Sequence, residues 1–305
     1  MVDFDKRLLI FLDYFKKYQK FKNVSQTAKA LGISRRMIYY YLSKLNDILA
    51  LSQNPLIIKD QEGYYHINQA QCNIIENYFE NKATTSHYIF NRQERILFIA
   101  CAILFNDQTL RIKTFENYFK VSKNTIMNDL TAVKQFFKRY QIELYNDKKY
   151  GYYVKSPSNF QRNVIYEIIK RIEIEEYHAV FDSILAYNQS PSLINTYQQF
   201  EHQFFVAFER NEYMLHKKVS FINKYILCKC LFLSLQFQQE QPFQLKTDQR
   251  KVLERRLEFY ISQKITKQLS PFITSIVAEV HFQQFSYFAL AKTMIFTMTV
   301  KASKT

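Results

Sequence analysis

This sequence is poor in the residues that build tight turns and loops. Its 305 residues include 3 glycines and 5 prolines, and it has no tryptophan. That composition argues against glycine-rich phosphate loops, and no P-loop, nucleophile elbow or metalloprotease motif occurs in the sequence. Long periodic apolar runs, with 48% hydrophobic residues overall, instead predict a mainly helical protein of two or three domains.

Metal-binding, disulfide and targeting signals are also missing. The four cysteines form no CxxC pair, and none has a histidine at zinc spacing. Cys228 and Cys230 lie in an apolar helical run and are expected to pack as small hydrophobic side chains. No segment has the pattern of a signal peptide, and Lys229 and Lys292 interrupt the most apolar runs. The sequence therefore predicts a cytoplasmic protein without enzymatic activity, cofactor, metal site or membrane contact.

Positive charge is in excess, with a formal net charge of +15. Residues 1–155 contain 24 Lys and Arg against 14 Asp and Glu, whereas the remainder contains 18 against 13. The first half is the more basic, as expected of a surface that neutralises phosphates. A generally lysine-rich proteome is the alternative explanation.

One segment occurs twice in the basic half. The first copy reads SQTAKALGISRRMIYYYLSKL and ends in EGYYHIN; the second reads KTFENYFKVSKNTIMNDLTAV and ends in YGYYVKS. The spacing from Ser34 to Gly63 equals the spacing from Ser122 to Gly151, 29 residues in each case. A pattern shared without a gap over this length predicts two copies of one structural unit.

The first copy has the pattern of a winged helix-turn-helix. A helix is predicted from Asp5 to Lys20, and Ser25 is expected to cap a second helix that Gly32 ends. Ser34 then caps a third helix to about Leu49, and a short helix, a glycine turn and a longer helix form a helix-turn-helix. LIIKD and YYHIN, on either side of Gln61-Glu62-Gly63, predict a hairpin wing. The expected inward residues are Ala28, Leu31, Ile33, Ile38, Leu42 and Leu45.

The second copy repeats this order without a glycine in the turn. The predicted helices are 93–105, 113–119 and 123–140, with Ser122 as the cap, and the predicted wing strands are 142–145 and 152–154. Beyond Pro157 the periodicity is helical throughout. The predicted helices there are Asn159–Ile174, Ser192–Arg210, Lys217–Gln238, Asp248–Gln268 and Ala278–Val300.

The predicted fold is therefore mainly α, with two winged helix-turn-helix domains followed by an all-helical bundle. The predicted segments are 1–68 for the first winged domain, 69–92 for a connecting helix and linker, 93–156 for the second winged domain, and 157–305 for a helical domain.

The third helix of each predicted unit is its recognition helix. Such a helix places its first residues against base edges in the major groove of duplex DNA. Arginine can pair with guanine, asparagine with adenine, and tyrosine or lysine can reach phosphates. The predicted DNA contacts are Ser34, Arg35, Arg36, Tyr39, Tyr40, Lys44, Lys59, Lys123, Asn124, Thr125 and Asn128.

Each of these assignments has a plainer alternative. Winged helices also serve as protein-interaction modules, and Asp129 on the second recognition helix argues against contact with DNA. His66 is expected to hold an ordinary strand position, although it lies in the wing. Glu173, Glu175 and Glu176 are expected to form a solvated helix face.

Two winged helix-turn-helix units before a helical domain resemble the BglG/MtlR-type bacterial regulators and their Mga-like relatives. The resemblance rests on TAKALGISRRMIYYYLSKLN with YYHIN, and on FKVSKNTIMNDLTAVKQFF with ELYNDKKYGYYVKSPSNFQRNVI. It implies a DNA-binding transcription regulator, an activator that forms a homodimer.

The resemblance also implies that the helical region is a phosphotransferase regulation domain, abbreviated PRD, whose histidines are phosphorylated by sugar-transport phosphotransferase proteins. NKYILCKCLFLSLQF and AEVHFQQFSYFALAKTMIF look like its framing helices, but neither contains an Asp-His or Leu-His site. His216 and His281 are the candidate phosphoacceptors, with a structural role as the alternative. The chain ends at Thr305, inside about one such domain, so a short family member and a shortened chain both stay open.

Two other functions compete with regulation. A plasmid-type replication initiator can also carry tandem winged helices, and it would bind repeated origin sequences rather than operators. A protein-interaction scaffold would carry its basic charge incidentally. No RNA-binding β-domain of the antiterminator branch is visible in the sequence.

Salt dependence separates the scaffold from the DNA binders. If six or more phosphates are contacted, affinity for duplex DNA should fall by ~10³-fold or more between 50 and 200 mM salt, because bound counterions are released. Fluorescence anisotropy with a labelled duplex measures this fall. Affinity that stays constant across the same range would favour the scaffold.

Overall fold

The computed structural model describes residues 4–81, 88–105, 109–155, 158–187, 191–215, 219–236 and 257–272. The chain divides into two compact units, Met1–Asn91 and Arg92–Thr305. The mainly helical fold class with small antiparallel β elements is confirmed. The first unit contains α1 (Lys6–Tyr18), β1 (Lys20–Phe21), α2 (Val24–Ala30), α3 (Arg35–Leu51), β2 (Tyr65–His66) and α4 (Gln69–Asn81).

The core of the first unit forms where α1 crosses α3. Apolar residues recur on α1 at helical spacing, and Leu8, Phe11 and Phe15 are fully buried. Ile38 and Leu45 of α3 are buried with them. Each such side chain contributes about 1.5–3 kcal/mol by leaving water, so this packing orients α3 firmly. Among the predicted inward residues, Leu31 and Ile33 are partly buried and the others are buried.

Helix α2 begins earlier than expected, and Asn23 rather than Ser25 caps it. The Asn23 side chain accepts hydrogen bonds from the backbone N–H groups of Ser25 (3.0 Å) and Gln26 (3.1 Å). Val24 is already helical because its apolar side chain enters the core. Burial thus moved the cap two residues upstream to the last extended residue.

The turn between α2 and α3 follows the expectation. Gly32 has φ +63°, the left-handed conformation that glycine adopts at little cost. Ser34 then caps α3, with its Oγ accepting from the Met37 N–H at 3.3 Å.

The first wing is smaller than the predicted hairpin. Lys59 makes a single antiparallel bridge to Tyr65, whereas strand β2 pairs with β1, Lys20 opposite His66 and Phe21 opposite Tyr65. A two-residue strand carries no readable alternation, so the sequence did not reveal β1.

Helix α4, which the sequence assigns to a connecting segment, packs into the first unit. Cys72, Ile75 and Phe79 belong to its buried core, and Glu76 pairs with Lys16 of α1.

The second unit starts with the same order of elements. It contains α5 (Arg92–Phe105), α6 (Ile112–Phe119), α7 (Lys123–Lys138), β3 (Glu143–Asp147) and β4 (Gly151–Lys155). β3 and β4 form the predicted hairpin, with Tyr145 opposite Tyr153. Lys120 holds the left-handed position of Gly32, with φ +53°, which explains how this copy turns without glycine.

Helix α5 is buried on nearly every side. All residues from Ile96 to Phe105 are buried, because α7 covers one side while the helices α8 (Ser158–Ile174) and α9 (His178–Tyr187) cover others. The Phe98 ring lies 4.7 Å from Tyr118 of α6 and 5.3 Å from Tyr187 of α9, centroid to centroid. The second helix-turn-helix and the following helices thus share one core.

The helical region continues with α10 (Pro191–Glu212), α11 (Phe221–Gln236) and α12 (Leu257–Gln268). The predicted helices match α8, α10 and α11 within a few residues. α9 was not predicted, because its 10 residues are too few for a helical period to stand out. The predicted helix Ala278–Val300 lies outside the described residues. No helix in the described ranges has the length and apolar character that a membrane crossing requires.

The prediction of a solvated glutamate face was wrong for Glu173. This residue is buried, and its Oε1 accepts a hydrogen bond from Lys229 Nζ at 2.5 Å. The pair joins α8 to α11. Glu175 and Glu176 are exposed, as expected.

Glycine at position 151 is required more strictly than glycine at position 32. A Cβ on Gly151 would lie 2.1 Å from the Leu110 carbonyl oxygen, whereas a Cβ on Gly32 would meet nothing within 4 Å. Both substitutions incur ~1–2 kcal/mol of left-handed strain. We expect Gly151→Ala to lose a further ~1–3 kcal/mol of unfolding free energy through overlap. Urea unfolding of both variants checks this, and equal losses would contradict it.

Candidate nucleic-acid interface

The first turns of α3 present the predicted DNA contacts to solvent. Arg35, Arg36, Tyr39 and Tyr40 are all exposed, because Ile38 and its helical neighbours hold the opposite face in the core. Ser34 is exposed but its hydroxyl already serves as the helix cap. Arginine and tyrosine side chains on a rigid, buried-backed helix can reach base edges and phosphates in a major groove.

Lys44 lies one turn further along and is half-buried. Its Nζ is 4.8 Å from the centroid of the Tyr40 ring. This places the ammonium group beside the exposed tyrosine, on the same side of α3.

The first wing brings Lys59, Tyr64 and His66 to the same part of the unit as β1. The His66 side chain is exposed, but its Nε2 already has a partner, Asp60 Oδ2 at 2.6 Å. The backbone N–H of Tyr64, assisted by the His66 ring, holds the pKa of Asp60 below its usual value. Asp60 therefore stays ionised and closes the wing turn.

In the second copy, the corresponding face of α7 is also solvent-exposed. Lys123, Asn124 and Asn128 are exposed. Thr125 is half-buried. Its hydroxyl lies 3.0 Å from Ser122 Oγ and therefore already contacts the residue that caps α7. Met127 is 47% exposed on this helix, an apolar contact that the sequence analysis did not include.

Asp129 faces the protein rather than the solvent, which removes the argument that it opposes DNA contact. Its side chain is 1% exposed and accepts a hydrogen bond from Arg95 Nε of α5 at 2.7 Å. Arg92 Nε lies 3.7 Å from its other oxygen. The negative charge is thus neutralised behind the recognition helix.

The equivalent position of the first copy is Tyr41, which is also buried and polar. Its hydroxyl lies 3.3 Å from Asp5 Oδ1, the cap of α1. Burial, with a smaller effect from Asp5, raises the pKa of Tyr41 above its usual value, so the hydroxyl stays protonated and donates. At this position each recognition helix therefore makes a polar contact with the first helix of its unit or its cap.

The second wing carries an aromatic and basic surface. Tyr145 and Tyr153 stack across the hairpin with ring centroids 5.6 Å apart. Lys149 Nζ lies 5.0 Å from the Tyr150 ring and Lys155 Nζ 5.6 Å from the Tyr153 ring. Lysine ammonium groups beside the exposed Tyr150 ring and the half-buried Tyr153 ring suit contact with a phosphate backbone.

The described residues do not test the predicted phosphoacceptors. His216 and His281 lie outside the described residues. Among those described, no three His, Cys, Asp or Glu side chains gather closely enough to hold a metal ion. Cys228 and Cys230 are buried, as predicted for hydrophobic packing.

Two families of known proteins match parts of the chain. Residues 68–154 match the Mga helix-turn-helix domain, from just before α4 into β4. Residues 13–42 match the NUMOD1 domain, from the middle of α1 into α3. No curated protein matches the chain. The Mga match covers α4 and almost all of the second copy, and it supports a role in DNA-binding transcription regulation.

Asp129 should be a major determinant of the second unit's stability. Asp129→Ala leaves the 11%-exposed Arg95 without this carboxylate, and breaking a buried ion pair on one side costs about 3–5 kcal/mol. Thermal or urea unfolding measures the loss. Lys113→Ala removes a surface pair with Glu116 in the same unit and should change the unfolding free energy by about 0–1 kcal/mol. Similar effects of the two changes would show that the Asp129 contact is not important.

Proposed function

We propose that the protein is a sequence-specific transcription regulator that reads duplex DNA with two winged helix-turn-helix modules. The observation that carries this proposal is the Mga helix-turn-helix match at residues 68–154. Within that segment, α7 exposes Lys123, Asn124 and Asn128 while Asp129 is turned inward. α3 exposes Arg35 and its neighbours at equivalent positions.

The two modules carry different chemistry and are expected to read different bases. α3 offers arginines, which suit guanine, whereas α7 offers asparagines, which suit adenine. Two modules in one chain also raise affinity, since binding of one increases the effective concentration of the other. In this proposal, 1–68 and 93–156 are the winged domains.

We further propose that the helices from α8 onward form a PRD-like domain for dimerisation and phosphotransferase input, with activation as the outcome. α8 and α9 pack directly against α5, and α5 holds α7 through Arg95 and Asp129. A rearrangement of α8 and α9 would therefore be transmitted to α7 in two steps. The first is their packing on α5, and the second is the Arg95–Asp129 ion pair between α5 and α7.

Selection of binding sites from random duplex DNA tests the proposal. The wild-type protein should select a discrete motif, because rigid helices present fixed side chains to base edges. Arg35→Ala/Arg36→Ala and Lys123→Ala/Asn124→Ala should each erase a different part of that motif. If only the first pair matters, α7 is not a reading helix. If no motif emerges from the wild type, sequence-specific regulation is wrong.

A further inference from the structure

A groove of about 720 Å³ lies beside the recognition helix of the first unit. It runs from the end of α1, past β1 and the start of α2, to the first turns of α3 and the wing. Its polar lining includes Lys20, Lys22, Arg35, Tyr39, Lys59 and Tyr64. The groove lies wholly within this unit and contains residues that the DNA-binding prediction omitted, above all Lys20 and Lys22.

The lining carries four cations and no carboxylate. Lys20, Lys22, Lys59 and Arg35 make no ion pair with any described residue. Lys16, on the preceding helix, is by contrast paired with Glu76. Concentrated positive charge without an internal counter-ion attracts an anion from outside.

Strand pairing explains how the lysines converge. β1 lies beside β2 with Lys20 opposite His66, which places Lys20, and Lys22 directly after the strand, next to the wing. Lys20 Nζ and Lys22 Nζ each lie 5.2 Å from the centroid of the Tyr64 ring. Two ammonium groups are thus positioned around one aromatic ring, and both lysines are exposed.

We propose that this groove binds the sugar-phosphate backbone of the DNA strand that borders the recognition helix, with Lys20 and Lys22 as phosphate contacts. The inference rests on the proposed function, and it assigns a positioning site rather than a base-reading one. A polymer fits better than a free anion, because the groove continues into Arg35 and Tyr39 of α3. The second copy has Gln108 and Leu110 at the positions of Lys20 and Lys22. This pair of lysine contacts is therefore expected in the first copy alone.

The test compares full-length Lys20→Gln/Lys22→Gln with the wild type on the selected duplex and on a scrambled duplex. Loss of two phosphate contacts should weaken binding about 10- to 100-fold on both duplexes alike. The slope of log affinity against log salt should become shallower by about 2, and the selected motif should stay the same. Lys264→Gln/Lys267→Gln removes the same charge from α12 and should leave affinity and slope near those of the wild type.

The other outcomes distinguish failure of the groove inference from failure of the proposed function. If the Lys20/Lys22 variant behaves like the α12 control while the wild type still selects a motif, the groove inference is wrong and the proposed function stands. If the variant changes the motif, these lysines read bases and the phosphate assignment fails. If the wild type selects no motif, the proposed function itself fails.

A calorimetric titration with pyrophosphate separates the two sources of phosphate. We expect no saturable binding at micromolar concentration, because a short anion cannot span the groove. Tight pyrophosphate binding that Lys20→Gln/Lys22→Gln abolishes would instead assign the groove to a free phosphorylated ligand.

Discussion

One buried polar contact between the first helix and the recognition helix organises each unit. In the first unit the contact joins Tyr41 to Asp5, and in the second it joins Asp129 to Arg95. The donor and acceptor have exchanged helices between the copies, although the position on the recognition helix is the same. A polar group buried at this point must find a partner, since leaving it unpaired costs free energy. The contact therefore adds a directional constraint to the apolar packing that orients the recognition helix.

Helix α5 of the second unit is more extensively buried than α1, the corresponding helix of the first unit. From Ile96 to Phe105 it has no exposed face, because α7 covers one side and α8 and α9 cover others. α1 of the first unit keeps exposed residues such as Asp13 and Lys17. The first helix of the first unit is therefore amphipathic, whereas that of the second unit is buried from Ile96 onward. The second copy is therefore part of a larger core, in which α8 and α9 contact α5.

The candidate surface was partly readable from the sequence. Ser34, Gly32 and the apolar spacing of α3 predicted which side of that helix faces solvent, so Arg35 and Tyr39 were placed correctly. The sequence also suggested that Asp129 opposes DNA, because a charged residue on a recognition helix is normally exposed. The expectation that Asp129 is exposed failed because its partner, Arg95, lies 34 residues earlier in the chain. No local sequence pattern indicates that pairing. Lys20 and Lys22 were missed for the same reason, because the pairing of β1 with the distant strand β2 brings this part of the chain to the wing.

Local physics explains what the sequence determined by itself. Caps, the glycine turn and periods of 3.6 depend on residues within a few positions of each other, and they predicted the repeat, the helices and the exposed faces. Only the tertiary structure decided that α4 belongs to the first unit, that Glu173 pairs with Lys229, and that four cations without an ion pair among the described residues line one groove. Those features depend on contacts between residues far apart in the chain. Such contacts depend on how the helices pack their apolar faces against each other. Local patterns in a single sequence do not specify that arrangement.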